Sequence, residues 1–354
     1  MLRAPGSQHN RWAEEGEAIV YAGKKVIDVH GHMTTPPAFR GMIANWVSQN
    51  TGPSNHGEAP KISDEEMDRA QKRHLDMLDD HSIDYQLISP RPIAMWHWMR
   101  PHLQYDWTHF TNDTIAQICR LHPDRFGGVA QLPQSRELDT SHVLDELERC
   151  VKELGFVGAL VNPDPGADRQ TPGMHEKYWY PLYERAEQLG AVLMVHPSVS
   201  HDPRFEVVPA NYQMNNVIEE YIAMQVLEHG RVFDDFPSLK VFVCHGGGAL
   251  HRFIESDHHR GQRDLTKNLW FDTCVLERDM LGAMIKQKSP ARVLFGTEAP
   301  GSGGAKRPES GRPSDDLVPI IAEYDFLSEE DKGAIFYNNA FNAVPLLTKA
   351  AVGD

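Results

Sequence analysis

Asp28-Val29-His30-Gly31-His32 places two imidazoles two residues apart at the end of a β-branched run. Side chains alternate along a strand, so His30 and His32 project to the same side. Two neutral imidazoles on one side can share a divalent cation. A bare His-X-His also describes two histidines that simply meet solvent at a strand end. Three other segments shift the balance. Val195-His196-Pro197, Cys244-His245-Gly246 and Gly296-Thr297-Glu298 each close a further apolar run with a histidine or a carboxylate. Histidine at the ends of three such runs is not expected by chance, even with 19 in 354 residues. His30, His32, His196 and Glu298 are therefore the candidate ligands of one divalent ion. Zinc suits the donor set, and manganese tolerates it. Such an ion lowers the pKa of bound water from about 15.7 to about 7. Glu298 can ligate, hold that water or take its proton. His245 stands too late in its run to be assigned with the ligands, although ligation stays open to it. It reads as an acid/base group or an electrostatic partner of the substrate, against the blander role of a supporting histidine.

These residues must be brought together by the elements that carry them. Eight apolar runs bounded by Gly, Pro or Asp read as strands: Lys25–Met33, Asp84–Pro90, Phe126–Pro133, Phe156–Pro163, Ala191–Pro197, Leu239–Gly247, Leu269–Val275 and Arg292–Pro300. Helical patterns lie between them at Ser63–His81, Ser141–Leu154 and Tyr180–Leu189. The first opens on a Ser-Asp-Glu-Glu cap, and the other two stop near Gly155 and Gly190. Alternating strands and helices predict an α/β fold with a parallel sheet. The eightfold count predicts a (β/α)8 TIM barrel with long loops at its C-terminal face. No Gly-X-Gly-X-X-Gly follows the first strand, so a dinucleotide fold has no support. The division expected is an N-terminal arm over 1–24 and one barrel domain over 25–350. Thr34–Ile62, Arg91–Phe110 and Gly301–Asp316 are the long segments expected as loops around the mouth, where lids are built.

The chain carries 35 Lys and Arg against 50 Asp and Glu, a formal charge of −15. Such a surface repels phosphate backbones, which argues against nucleic acid as a partner. No apolar run approaches the roughly 18 residues of a membrane span, and the first residues lack the apolar stretch of a signal peptide. Cys119, Cys150, Cys244 and Cys274 form no Cys-X-X-Cys pair and read as reduced thiols of a cytoplasmic protein.

A His-X-His on strand 1, histidines ending strands 5 and 6 and an acid ending strand 8 resemble the amidohydrolase superfamily. Within it the chain is similar to the branch of amino-carboxymuconate-semialdehyde decarboxylase, from about residue 25 to 348, including Tyr337-Asn338-Asn339-Ala340 near the end. Most decarboxylases of that branch carry Asp in a Gly-Ser-Asp-like motif where this chain has Gly-Thr-Glu298. The glutamate resembles the 4-oxalomesaconate hydratases of the branch. So do Ser89-Pro90-Arg91, Leu132-Pro133-Gln134-Ser135, Asn162-Pro163-Asp164-Pro165, Trp179-Tyr180-Pro181, His245-Gly246-Gly247-Gly248-Ala249 and Phe271-Asp272-Thr273-Cys274-Val275. The resemblance implies a metal-dependent hydro-lyase adding water to a small unsaturated carboxylic acid, in aromatic-compound degradation, with a homodimer or higher homo-oligomer as the assembly. In those hydratases an arginine closely follows the strand-8 glutamate; here Ala-Pro-Gly-Ser-Gly-Gly follows, and the first cations are Lys306 and Arg307.

Smaller expectations complete the site. Arg91 after strand 2 can fork onto a substrate carboxylate; otherwise it is a surface arginine. Asn162 can meet a substrate oxygen or hold a turn. Tyr212 matches a hydratase tyrosine and otherwise packs. Asp272 reads as barrel-interior structure, Asp28 as a buried carboxylate holding a neighbouring loop or ligand, and Trp96 with Trp98 as a pocket cover or dimer contact. In the hydration chemistry Glu298 accepts the water proton while His245 or Tyr212 steadies the enolate. Other chemistries fit the same residues: nonoxidative decarboxylation of a hydroxybenzoate- or muconate-type acid, hydrolysis of an amide, ester, lactone or thioester, and a catalytically silent barrel.

Overall fold

Each of the eight runs becomes a strand because its apolar residues are buried on both faces. The strands are β1 (Ile27–His32), β2 (Tyr85–Ser89), β3 (Phe126–Ala130), β4 (Gly158–Val161), β5 (Val192–Val195), β6 (Val241–Val243), β7 (Leu269–Asp272) and β8 (Val293–Leu294). They pair in sequence order, all parallel, in one eight-stranded sheet. Two backbone bonds lace the last strand region to the first, Val29 N to Phe295 O at 2.9 Å and Glu298 N to His30 O at 2.6 Å. The result is a nearly closed TIM barrel. The computed structural model describes residues 24–48, 59–209, 211–261, 263–301 and 303–353. The N-terminal arm expected over 1–24 lies, but for Lys24, outside the described residues.

The two faces of the sheet have separate cores. Val29, Leu87, Val129, Leu160, Met194, Phe242, Trp270 and Leu294 fill the interior, and the C-terminal residues Tyr337, Ala343 and Leu347 join them. Ile88, Ala159, Leu193, Val241 and Phe271 pack outward against helix residues such as Leu78, Ile115, Leu147, Leu182 and Leu227. The helix expected at Ser63–His81 spans Asp64–Asp80. Ser63 Oγ accepts the Glu66 N–H and caps it, and Met67, Gln71, His74 and Leu78 form its buried face.

Three segments depart from expectation. The strand expected over Leu239–Gly247 is regular only to Val243, and His245–Gly247 forms a tight helical turn. Gly246, Gly247 and Gly248 all have positive φ, a backbone that β-carbons disfavour. A Cβ on Gly248 would lie 2.1 Å from Val217 O, so the turn sits hard against the preceding helix Asn211–His229. The segment Arg91–Phe110 is not wholly loop: Pro101 opens a helix to Leu121, a favourable first-turn position for proline. The segment Thr34–Ile62 contains the helix Pro37–Ser48, and residues 49–58 lie outside the described residues.

Candidate metal centre and cleft

β1 is irregular between Asp28 and Gly31, where its register against β2 shifts. This bulge turns Asp28 away from the metal donors. Its carboxylate accepts from Gln86 Nε2 at 2.8 Å, from Thr297 Oγ1 at 2.6 Å and from the His30 N–H at 2.9 Å. Asp28 thus fastens the turn that delivers Glu298. Burial, partly offset by these hydrogen bonds, pushes its carboxyl up to about 7.

His30, His32 and His196 converge at the C-terminal ends of β1 and β5. Each Nδ1 is held by an oxygen. His30 Nδ1 lies 2.8 Å from Asp272 Oδ2, His32 Nδ1 2.9 Å from Ser89 Oγ, and His196 Nδ1 2.6 Å from Pro197 O. Ser89 Oγ itself donates to Gly31 O at 2.9 Å, so it receives the His32 proton. The carbonyl and the carboxylate can only accept. All three rings therefore carry hydrogen on Nδ1 and a lone pair on Nε2. The three Nε2 atoms are buried with no hydrogen-bond partner. Burial holds His30 below the usual imidazole range and takes His32 down to about 3, which keeps both neutral. Glu298 Oε1 stands 3.7 Å from Nε2 of both His32 and His196. One ligand atom from each of the four side chains lies within 4.8 Å of the others. Unpartnered buried acceptors are costly unless something binds them, and three imidazole nitrogens with one carboxylate oxygen fit a divalent cation.

His245 completes the cluster from the turn after β6. Its Nδ1 lies 2.7 Å from Glu220 Oε1, and its Nε2 lies 3.5 Å from Glu298 Oε1. Burial disfavours charge on this ring, but the carboxylates of Glu220 and Glu298 outweigh it and hold its pKa well above the usual imidazole value. Burial would raise Glu298, yet the charge of the neighbouring His245 outweighs it and holds the carboxyl well below the usual carboxylate range. Glu298 is therefore a carboxylate beside a ring that carries a proton. The two open onto a cleft of about 370 Å³, walled by Asn216, Val217, Cys274, Met284 and Ser314 among others.

The remaining expected residues are placed as follows. Arg91 is half-buried at the rim, with Nε on Met33 O at 3.2 Å and Nη1 on Pro300 O at 2.6 Å. Burial lowers its pKa, and the Glu298 charge works against that. Asn162 is buried with its amide engaged at both ends, Oδ1 accepting from Asp164 N at 3.0 Å and Nδ2 3.1 Å from His97 Nδ1. Tyr212 stands in the first turn of Asn211–His229, and its side chain lies outside the described residues. Lys306 is exposed, whereas Arg307 donates through Nη2 to Leu276 O and Ser314 O and so holds the cleft wall from behind. Trp96 is buried against Trp107 with ring centroids 4.4 Å apart, and Trp98 is 40% exposed.

Sequence reasoning left Ser89 and Glu220 without a role and read Asp272 only as barrel-interior structure. Ser89 fixes His32, Asp272 fixes His30, and Glu220 fixes His245. For Glu220 a signal exists: Asn216, Glu220, Met224 and Leu227 recur at helical spacing and are all buried, which marks a carboxylate on an inward helix face.

The comparisons with known proteins agree with this architecture. The amidohydrolase family model matches residues 27–346. The 2-keto-4-carboxy-3-hexenedioate hydratase of Sphingobium sp. is 32% identical over 91% of this chain and 96% of its own. The 2-amino-3-carboxymuconate-6-semialdehyde decarboxylase of Dictyostelium discoideum is 26% identical over 76% of this chain and 75% of its own. The crystal structure of 4-oxalomesaconate hydratase from Rhodopseudomonas palustris superimposes with a TM-score of 0.79 at 29% identity, covering 92% of this chain and 97% of that one. A manganese-bound dihydroxybenzoic acid decarboxylase from Polaromonas sp. shares the fold at TM-score 0.64 and 22% identity. With its family model, its barrel and its histidine-rich centre in accord, the chain belongs to the amidohydrolase family.

Proposed function

We propose that this protein is a metal-dependent hydro-lyase that adds water across the carbon–carbon double bond of a small unsaturated polycarboxylic acid. The observation that carries the reading is the pairing of Glu298 with His245: a carboxylate oxygen 3.5 Å from an imidazole nitrogen, both facing the cleft. Addition of water needs a base at one carbon and an acid at the next. The likeness to two hydratases, in sequence and in structure, supports the same reading.

His30, His32, His196 and Glu298 would hold the cation, and zinc is the guest best matched to three imidazoles. A cation bound there supplies Lewis acidity, which makes water an available nucleophile near neutral pH. Glu298 takes one proton from that water as the new carbon–oxygen bond forms. The π electron pair moves onto the conjugated carboxylate as an enolate that His245 or Tyr212 steadies; His245 then protonates carbon and recovers its proton from Glu298, so that one water is added in all. Arg91 is held by two carbonyls at the rim and presents its charge to a substrate carboxylate there. Exposed Ile93 (60%) and Trp98 in the same loop support a homo-oligomer, to be checked by light scattering.

The deciding experiment is Glu298→Gln, assayed with a conjugated carboxylated diene while metal content is measured. Turnover falls by about 10²–10⁴-fold as general-base catalysis is removed. Near-wild-type turnover with metal bound overturns the role of Glu298, and release of carbon dioxide by the unaltered protein overturns the hydro-lyase reading.

A further inference from the structure

A second donor set adjoins the first. His245, Cys274 and Glu298 each offer a ligand atom, and the three lie within 4.8 Å of one another. Cys274 is 4% exposed, its sulfur lies within 4.8 Å of a His245 ring nitrogen, and its backbone is fixed by a 3.1 Å bond from its N–H to Asp272 Oδ1. His245 is backed by Glu220 through Nδ1 just as His30 is backed by Asp272. A carboxylate behind the far ring nitrogen is the usual setting of a metal-bound histidine, since it aims Nε2 and strengthens it as a donor. All three side chains line the cleft, so a cation has a path to them. Sulfur, imidazole nitrogen and one carboxylate oxygen form a soft set, which selects a thiophilic divalent cation over magnesium or calcium. Glu298 has two oxygens, so it can serve both sets.

We propose that His245, Cys274 and Glu298 form a second, inhibitory site for a thiophilic divalent cation such as zinc or cadmium, filled above the concentration that fills the first. Binding displaces the thiol proton of Cys274 to solvent, while His245 offers the Nε2 lone pair that Glu220 aims through Nδ1; nothing is oxidised or reduced. Inhibition follows because the cation then occupies His245 and Glu298, the two groups that the hydration uses, and this half of the inference rests on the proposed function. The binding half does not.

The test titrates metal-replete protein with cadmium chloride while elemental analysis confirms that the first metal stays in place. The unaltered protein develops the absorbance of a cadmium thiolate, saturating at one equivalent. Cys274→Ser and Cys274→Ala lose that absorbance, whereas Cys150→Ser, altered at a buried thiol elsewhere, retains it. Excess zinc inhibits turnover of the unaltered protein, and loss of the sulfur raises the inhibitory concentration at least about tenfold, as expected when one ligand is removed. No absorbance in the unaltered protein, or its persistence in both Cys274 variants, overturns the site. If the absorbance appears and excess zinc leaves turnover unchanged, the inhibitory role is wrong. If no hydration is seen while the cadmium site forms, the proposed function fails and the second binding site stands.

Discussion

Two buried polar clusters lie on opposite sides of β7. Inside the barrel, Asp272 holds His30, and three Nε2 atoms face one another without a partner. On the helix side, Lys288 and Arg292 lie over the Phe271 ring at 4.3 Å and 5.1 Å. There Glu228 lies 3.0 Å from His251 Nε2 and 3.7 Å from Arg292 Nη2. Both clusters contain charge-bearing groups, yet only the inner one leaves like donors converging on a common point. The outer cluster neutralises itself with ion pairs and a ring face. Burial of polar groups therefore does not mark a functional site; lone pairs that converge with nothing to receive do.

That contrast can be broken from either side. His32→Ala removes one of the converging nitrogens, so metal content and turnover both drop to the level of chelator-treated protein, read by elemental analysis and the diene assay. Full metal retention would erase the distinction between the clusters. Asp272→Asn keeps shape but weakens the hold on His30, and metal affinity falls by about 10–100-fold in a competition titration. On the outer side, burial lowers Lys288 from 10.5 to about 8, against the pull of Glu228. A depressed lysine makes the folded state bind fewer protons than the unfolded one between those values, so stability rises with pH across that window. Lys288→Met removes this rise, on the order of 3 kcal/mol at most, seen as the difference between two urea-unfolding profiles from pH 7 to 11. Its metal content stays that of the unaltered protein. Ser89→Ala gives the smallest effect, a loss of metal affinity of about threefold to tenfold, equivalent to one neutral hydrogen bond.

The inner cluster was legible in the sequence because strand periodicity alone aims His30 and His32 together and because His196 and Glu298 end apolar runs. Its supports were less so. Ser89 and Asp272 act across strands, and their distances depend on barrel register rather than on any local spacing. The bulge in β1 breaks the alternation that would have set Asp28 beside His30. His245 was placed on a strand end, whereas three consecutive left-handed glycines fold its turn back onto Asn211–His229, where Glu220 waits. Arg307, the natural substitute for the missing hydratase arginine, is tied to two backbone carbonyls, a pairing no sequence pattern announces.

The amide of Glu298 donates to His30 O, so the residue that carries the reactive carboxylate also stitches the two ends of the sheet. Opening the cylinder at that stitch moves the proposed base and a histidine of the candidate metal centre in a single event. Heat or denaturant should therefore abolish turnover no later than it loosens the first and last strands. A variant selected for a slacker closure would surrender catalysis before it surrendered its helices.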